Sequence, residues 1–413
     1  MQIMADVGGI PGKNCRGFCK YCYFRNITEK HVFGCKYCLP GQIGCSHCTS
    51  DTNMTRDFLP SFSVLSDLQN KLFMTQHTKD LMANISGDGD ISCYPDLEEL
   101  TTGINNIGLP IHLGYTSGKG IDDPNIVDKL INNNVIETTF TTFSTTEKLR
   151  KEWMNDPTPE ASIESLKRFS ESCDVHAASI IIPGVNDGEI LHQTCSDLES
   201  WGTKAIILMR FANTKNQGLI LNNGPIVPGI KEQTPQEFEE LVIEIQKEYN
   251  LKVTGTPVSD PENNTPYALS HDKNDEYLEI LTPIRAKATI ITSKISAPYL
   301  KKIFDKLDAL DKINIIATNQ EIACLITEDD LKEINLEEVE DTIIIPGRAF
   351  IHDMKAEEIL QQDGKKRIIG RGPDTLTVDG ETSGTLTQNE VLKSEFMNFE
   401  ELIELINYLG VKV

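Results

Sequence analysis

Gln2-Ile-Met-Ala-Asp-Val7-Gly-Gly-Ile-Pro-Gly-Lys-Asn-Cys15-Arg-Gly-Phe-Cys19-Lys-Tyr-Cys22 opens the chain with a short strand pattern that runs into three cysteines spaced C-x3-C-x2-C. Three thiolates at that spacing can hold three irons of a [4Fe–4S] cubane and leave the fourth open to a ligand or substrate. A zinc site is the rival reading, but it lacks a convincing fourth ligand; His31 is the nearest histidine. A second block follows, Cys35-x2-Cys38-x6-Cys45-x2-Cys48, two knuckles that can close one tetrahedral site within residues 31–50. Its central gap is too short for a usual zinc ribbon. Softness admits zinc or iron, and an auxiliary cluster is the alternative. An open site beside a closed one implies a metalloenzyme that works at the first.

Outward from the triplet, β-branched runs alternate with helical patterns. Strands are expected at Gln2–Val7, Asp80–Ile85, Pro110–Tyr115, Val135–Phe143, Val175–Ile182 and Ala205–Phe211. Helices are expected at Ser66–His77, Pro124–Asn132, Ala161–Ser170 and Gly188–Trp201. Six strand-then-helix units predict a parallel barrel or open barrel with function at the strands' C-terminal ends. The polar motifs collect there: the triplet after strand one, Gly87-Asp88-Gly89-Asp90 after strand two, Ser144 at strand four, and Pro183–Asp187 after strand five. Residues 1–257 form this domain, and the polar, proline-bearing Val258–Asp275 reads as a linker. Residues 276–413 then form a second α/β domain. It is expected to contain strand Ala286–Ser293, helix Ala297–Leu310, strand Lys312–Thr318, helix Asp329–Val339, strand Asp341–Ile345 and a closing helix Asn398–Leu409.

The chain has 413 residues and a formal charge of −23, which argues against a general nucleic-acid binder, because phosphate recognition needs a basic face. No apolar run approaches the ~18 residues that span a bilayer, and no secretory signal is legible at the start. Seven of the eleven cysteines sit at metal-ligand spacings, which predicts a reducing cytoplasm rather than a disulfide framework. Cys93, Cys173, Cys195 and Cys324 are scattered and read as mostly buried small hydrophobes.

The triplet after a first strand, with the strand-end loops that follow, resembles the radical S-adenosylmethionine (SAM) superfamily over roughly residues 1–255. The resemblance implies a partial (β/α)6 barrel in which Cys15, Cys19 and Cys22 ligate the cluster and SAM chelates its open iron. One electron would cleave SAM to a 5′-deoxyadenosyl radical. Tyr21 matches the aromatic position whose backbone contacts adenine. Gly87, Asp88, Gly89 and Asp90 stand where the family receives the SAM ammonium; a plain turn is the alternative. Thr142 and Ser144 are candidates for the ribose or carboxylate, Ile182 and Asn186 for adenine. Tyr23, directly after Cys22, is a candidate temporary ligand of the open iron, with aromatic packing as the other reading.

Cys-Arg-Gly-Phe-Cys-Lys-Tyr-Cys-Tyr-Phe, the four-cysteine loop and the Ile-Ile-Pro-Gly-Arg segment ending at Arg348 resemble a methanogen marker family across both domains. This is the cobalamin-dependent methyl-coenzyme M reductase arginine C-methyltransferase family. The resemblance implies methylation of an arginine side-chain carbon in the reductase α subunit. It also implies cobalamin in the C-terminal domain and a reductant such as ferredoxin or flavodoxin. The sequence departs from the usual cobalamin motif, Asp-x-His-x-x-Gly: Asp174-Val-His176-Ala-Ala-Ser179 lacks the glycine and lies in a strand. The apolar loop Ile322–Leu325 is the candidate shield of the lower cobalt face, with ordinary core as the alternative. Asp156, in Arg150-Lys-Glu-Trp-Met-Asn-Asp156, is the candidate partner of a substrate guanidinium; a solvated helix end is its rival. A cobalamin-independent radical SAM peptide-modifying enzyme and a zinc-stabilised assembly protein are the alternative functions.

Overall fold

The computed structural model describes residues 2–26, 57–74, 81–214, 216–217, 225–257, 267–347, 349, 351, 353–373 and 387–412. The four-cysteine loop, with Cys35, Cys38, Cys45 and Cys48, lies outside the described residues. The chain divides into two compact units, one of residues 1–27, 55–211 and 226–254 and one of the remainder.

The first unit is a partial (β/α) barrel built on a seven-stranded sheet. Its strands are β1 (Gln2–Asp6), β2 (Met82–Ser86), β3 (Ile111–Thr116), β4 (Val135–Thr141), β5 (Asp174–Ile181), β6 (Ala205–Arg210) and β7 (Lys252–Thr256), in chain order across the sheet. Adjacent pairs from β1 to β6 are parallel. Ile3, Ala5, Ala83, Ile85, Ile111 and Leu113 alternate onto the face that the helices cover. Strands β5 and β6 are buried along nearly their whole length, as strands covered on both faces must be.

The expected six strands are therefore seven. Short β7 carries Gly255, which weakens a strand pattern and hides it in the sequence. Helix Leu97–Ile107 was likewise unread, because Thr101, Thr102, Gly103 and Asn105 are poor helix formers. Packing overrides them: Leu97, Leu100 and Ile104 are buried, and a Cβ on Gly103 would meet the Leu65 side chain at 2.5 Å. Helix Pro235–Glu248 was missed as well; Thr234 and Glu237 form a capping box around Pro235 at its start. The helices Ser61–Met74, Asn125–Asn132, Pro159–Ser172 and Gly188–Ser200 lie where expected, with shifted ends.

The second unit holds β8 (Ala286–Thr292), β9 (Ile313–Ala317), β10 (Thr342–Ile345), β11 (Ile368–Arg371) and β12 (Val411–Lys412). Strand β8 pairs in parallel with β9 and β10, β10 pairs in parallel with β11, and β12 runs antiparallel on β8. Alternation puts Ile290 and Ile344 in one core cluster and Ile291, Ile343 and Ile345 in another. The expected helix Asp329–Val339 is instead Glu328–Lys332 and a 3-10 turn Leu336–Glu338. Asn335 caps the turn by accepting from the Glu337 amide, which breaks the helix. The closing helix starts at Gln388 rather than Asn398, behind a Thr387–Glu390 capping box. Helix Asp353–Leu360 and β11 were unread. Residues 267–275, expected as the linker's tail, are packed: Tyr267, Ala268, Leu269 and Ser270 are buried.

Candidate active site

Beyond β1 the chain turns through Gly8, Gly9 and Gly12, all at positive φ, into a 3-10 turn Lys13–Cys15. Asp6 accepts from the Gly8 amide at 2.8 Å, and Asn14 accepts from the Ile10 amide at 2.7 Å. Cys15, Cys19 and Cys22 follow, each half-buried and without a disulfide. The Cys22 amide donates to the Cys19 carbonyl at 3.2 Å. Burial raises all three thiols. Cys22 is pushed up to about 12, first by burial and then by Cys19.

The cysteine loop is held from outside by the segment that follows β4, a π-helical turn Arg150–Met154. The Lys20 amide donates to the Trp153 carbonyl at 2.8 Å, and Cys19 Sγ lies 3.5 Å from the Met154 carbonyl. Asn155 donates to the Arg16 carbonyl at 3.3 Å, and Lys119 Nζ to the Gly17 carbonyl at 2.8 Å. Glycine is required at position 17: φ is +99°, and a Cβ there would overlap the Asn155 amide. Lys20 Nζ sits 5.0 Å over the Trp153 ring and 3.1 Å from Glu152.

Several predicted site residues are committed internally. Asp156 is 1% exposed and pairs with the fully buried Arg150; it also accepts from the Thr158 amide and Ser162 Oγ. The guanidinium that Asp156 binds in the structure is the protein's own, that of Arg150, where the sequence pointed to a substrate's. Asp90 accepts from the Ser92 amide at 3.0 Å, Ser92 Oγ at 2.7 Å, the Ser117 amide at 3.1 Å and Ser117 Oγ. Its carboxylate ties the β2 loop to the β3 loop. Thr142 Oγ1 donates to the Phe140 carbonyl, and Ser144 Oγ accepts from the Thr146 amide.

Asn186 accepts from the Ile182 amide at 2.7 Å and donates to the carbonyls of Phe143 at 2.9 Å and Ile180 at 2.8 Å. It and Ser179 hold the carbonyl of Phe143, which sits at φ +59°, a costly conformation for an aromatic residue. That posture stacks Phe143 on Tyr21 at 4.9 Å and on Trp153 at 6.2 Å. Tyr21 is buried, and its hydroxyl, with no complete hydrogen bond, lies beside the Cys19 sulfur.

The glycine turn after β2 packs against the loop after β1. A Cβ on Gly87 would overlap the Gly8 carbonyl, and one on Gly9 would lie 2.6 Å from the Gly89 nitrogen. The close approach expected for a ligand is thus already used between two backbone loops. Asp88 is exposed on the same turn. Tyr23 is half-buried at the start of the turn Tyr23–Asn26. Burial holds the Arg210 guanidinium below its ordinary range, and Tyr23 opposes that.

In the second unit, Ile322 and Leu325 lie on the loop after β9, with Leu325 buried and Ile322 half-buried. The Thr318 amide donates to the Thr292 carbonyl, and the Lys294 amide to the Gln320 carbonyl, so the loops after β8 and β9 are joined.

The cysteine triplet fits an iron–sulfur cluster by its chemistry. Burial raises all three thiols, and cationic iron is the partner that favours their thiolate form. Among the described residues no three His, Cys, Asp or Glu side chains converge on one metal ion. Thiolates bound to three different irons do not share one. Arg150, Lys119, Phe143 and Asn14 were not singled out from the sequence. Of these, Arg150 alone left a trace, as an opposite charge six positions from Asp156.

No family model matches the chain, and no curated protein matches it. Among solved structures, Streptococcus suis SuiB matches at 13% identity and a TM-score of 0.41, over 62% of this chain and 49% of that one. SuiB bound to its precursor peptide SuiA matches at 13% identity and a TM-score of 0.42, over 62% and 48%. A radical SAM methyltransferase from Sphaerobacter thermophilus matches at 14% identity and a TM-score of 0.35, over 52% and 62%. The chain spans about half the length of the SuiB chains it matches. No helix of the described residues is long and apolar enough to cross a membrane.

Proposed function

We propose that this chain is a radical SAM enzyme. The observation that carries the reading is the triplet Cys15, Cys19 and Cys22 on the loop after β1, braced by carbonyls of the β4 loop. A [4Fe–4S] cluster on that triplet supplies, when bound, the electron that cleaves SAM reductively. The chain's own part is to fix the three sulfurs and keep water from them. Tyr21, Phe143 and Trp153 form the aromatic wall behind the loop. Asp90 and Asn186 shape the strand-end loops through their bonds to Ser92, Ser117, Ile182 and Phe143, while the Ser144 hydroxyl keeps its donor and the Thr142 hydroxyl its lone pairs for the proposed SAM contacts. Asp88, exposed on the turn after β2, is the proposed partner of the SAM ammonium, and Tyr23, next to Cys22, the proposed temporary ligand of the open iron. Anaerobic reconstitution tests the reading: iron and sulfide near four equivalents each and release of 5′-deoxyadenosine are expected, and a colourless zinc-only protein would overturn it.

The finer proposal is cobalamin-dependent C-methylation of an arginine in the methyl-coenzyme M reductase α subunit, with a ferredoxin- or flavodoxin-type donor. It rests on the sequence resemblance. The placement of Ile322 and Leu325 after the C-terminal end of β9 supports it, since open parallel sheets bind ligands at that edge. An unactivated carbon requires a radical and a methyl donor, and a corrinoid would supply the methyl group. Failure of the full-length chain to bind a corrinoid would sink this part and leave the first standing.

A further inference from the structure

Lys119 follows β3, is 1% exposed, and spends its one side-chain hydrogen bond among the described residues on the Gly17 carbonyl, 2.8 Å away. Gly17 lies between Cys15 and Cys19. No carboxylate of the described residues stands within ion-pair distance of this ammonium, whereas nearby Arg150, equally buried, has Asp156. Lysine is almost never fully buried unless paired, and a buried charge with no counterion is strongly destabilising. A neutral amide could hold the Gly17 carbonyl as well, so the hydrogen bond does not account for the charge. Its place does: the carbonyl it holds belongs to the loop that joins Cys15 to Cys19, so the charge stands at the wall of the three-cysteine socket.

We propose that the Lys119 ammonium is the fixed countercharge of the cluster held by Cys15, Cys19 and Cys22, easing entry of the electron. The inference rests on the cluster reading above. One electron enters the cluster, a low-potential donor loses one, and no proton moves. The added negative charge is then stabilised by a cation already in place, at no cost in reorganisation.

The test uses the full-length chain, loaded anaerobically, as wild type, Lys119→Gln (which keeps a donor for Gly17) and Lys119→Met. Thermal melting of the cluster-free forms, iron and sulfide content, and a SAM-free potentiometric titration with dithionite followed by electron paramagnetic resonance are the readouts. Both cluster-free variants are expected to melt at or above wild type, because an uncompensated charge has gone. Both loaded variants are expected to reduce less readily by about tenfold, about 59 mV for one electron. A glutamine variant that melts normally yet fails to hold the cluster also supports the countercharge. An unchanged potential in the glutamine variant overturns the inference, as does a cluster-free glutamine variant that melts lower or is unfolded, since the ammonium is then structural. A wild-type chain that takes up no cluster overturns the radical SAM reading, and this inference with it.

Discussion

The Arg150 guanidinium and the Asp156 carboxylate meet at 2.9 Å with neither side chain exposed to solvent. Arg150 also donates to the carbonyls of Thr142 at 2.7 Å and Ser117 at 2.5 Å, so the pair pins the ends of β3 and β4 beside the cysteine loop. Breaking a buried pair from one side leaves a stranded charge, which costs about 3–5 kcal/mol. Asp156→Asn is therefore expected to destabilise the cluster-free chain by about that much, measured by urea unfolding. Normal stability with a selective loss of peptide modification would return Asp156 to the role of substrate contact.

Alanine at Cys15, Cys19 or Cys22 is expected to abolish the cubane spectrum and SAM cleavage together. Alanine at Cys35 or Cys48 should leave a cubane able to form. The reverse pattern, read by iron analysis and absorbance, would exchange the two cysteine blocks.

Gly87→Ala drives a methyl into the Gly8 carbonyl. Overpacking of this kind costs about 1–3 kcal/mol, so a lower melting temperature is expected in the absence of any ligand. A variant that melts like wild type but binds SAM weakly would show that the glycine serves the ligand instead.

Glu395 accepts from the amides of Ala268 and Leu269, and burial, opposed by those bonds, pushes its carboxyl up to about 8. Its folded value lies above its unfolded one, so the folded state binds the extra proton. The stability from this group is full below about pH 4.5 and is lost as pH rises through about 8. Glu395→Gln is expected to flatten the fall in melting temperature between about pH 4.5 and 8, the window between its unfolded and folded values. An unaltered slope would mean that another group sets it.

The triplet was legible as a candidate because its motif is written in local spacing, and most of the first unit's strands because alternation of residues such as Ile3 and Ala5 is local too. The internal partners of the polar strand ends were not. Asp90, Thr142, Ser144 and Asn186 have the chemistry a cofactor needs, but the same donors and acceptors serve loops from distant segments, and sequence shows no partner. Asp90 is claimed by Ser117, twenty-seven positions away. The Lys119 contact with Gly17 spans still more chain and had no signal at all.

The bonds that brace the cysteine loop run through Lys20, Arg16 and Gly17 to Trp153, Asn155 and Lys119, largely bypassing sulfur. A socket whose walls are fastened independently of its occupant keeps its outline when emptied. Loss of the proposed cluster would then remove a part and leave these fastenings in place. On the proposed reading, replacing a lost cluster would be reinsertion into a frame that already stands.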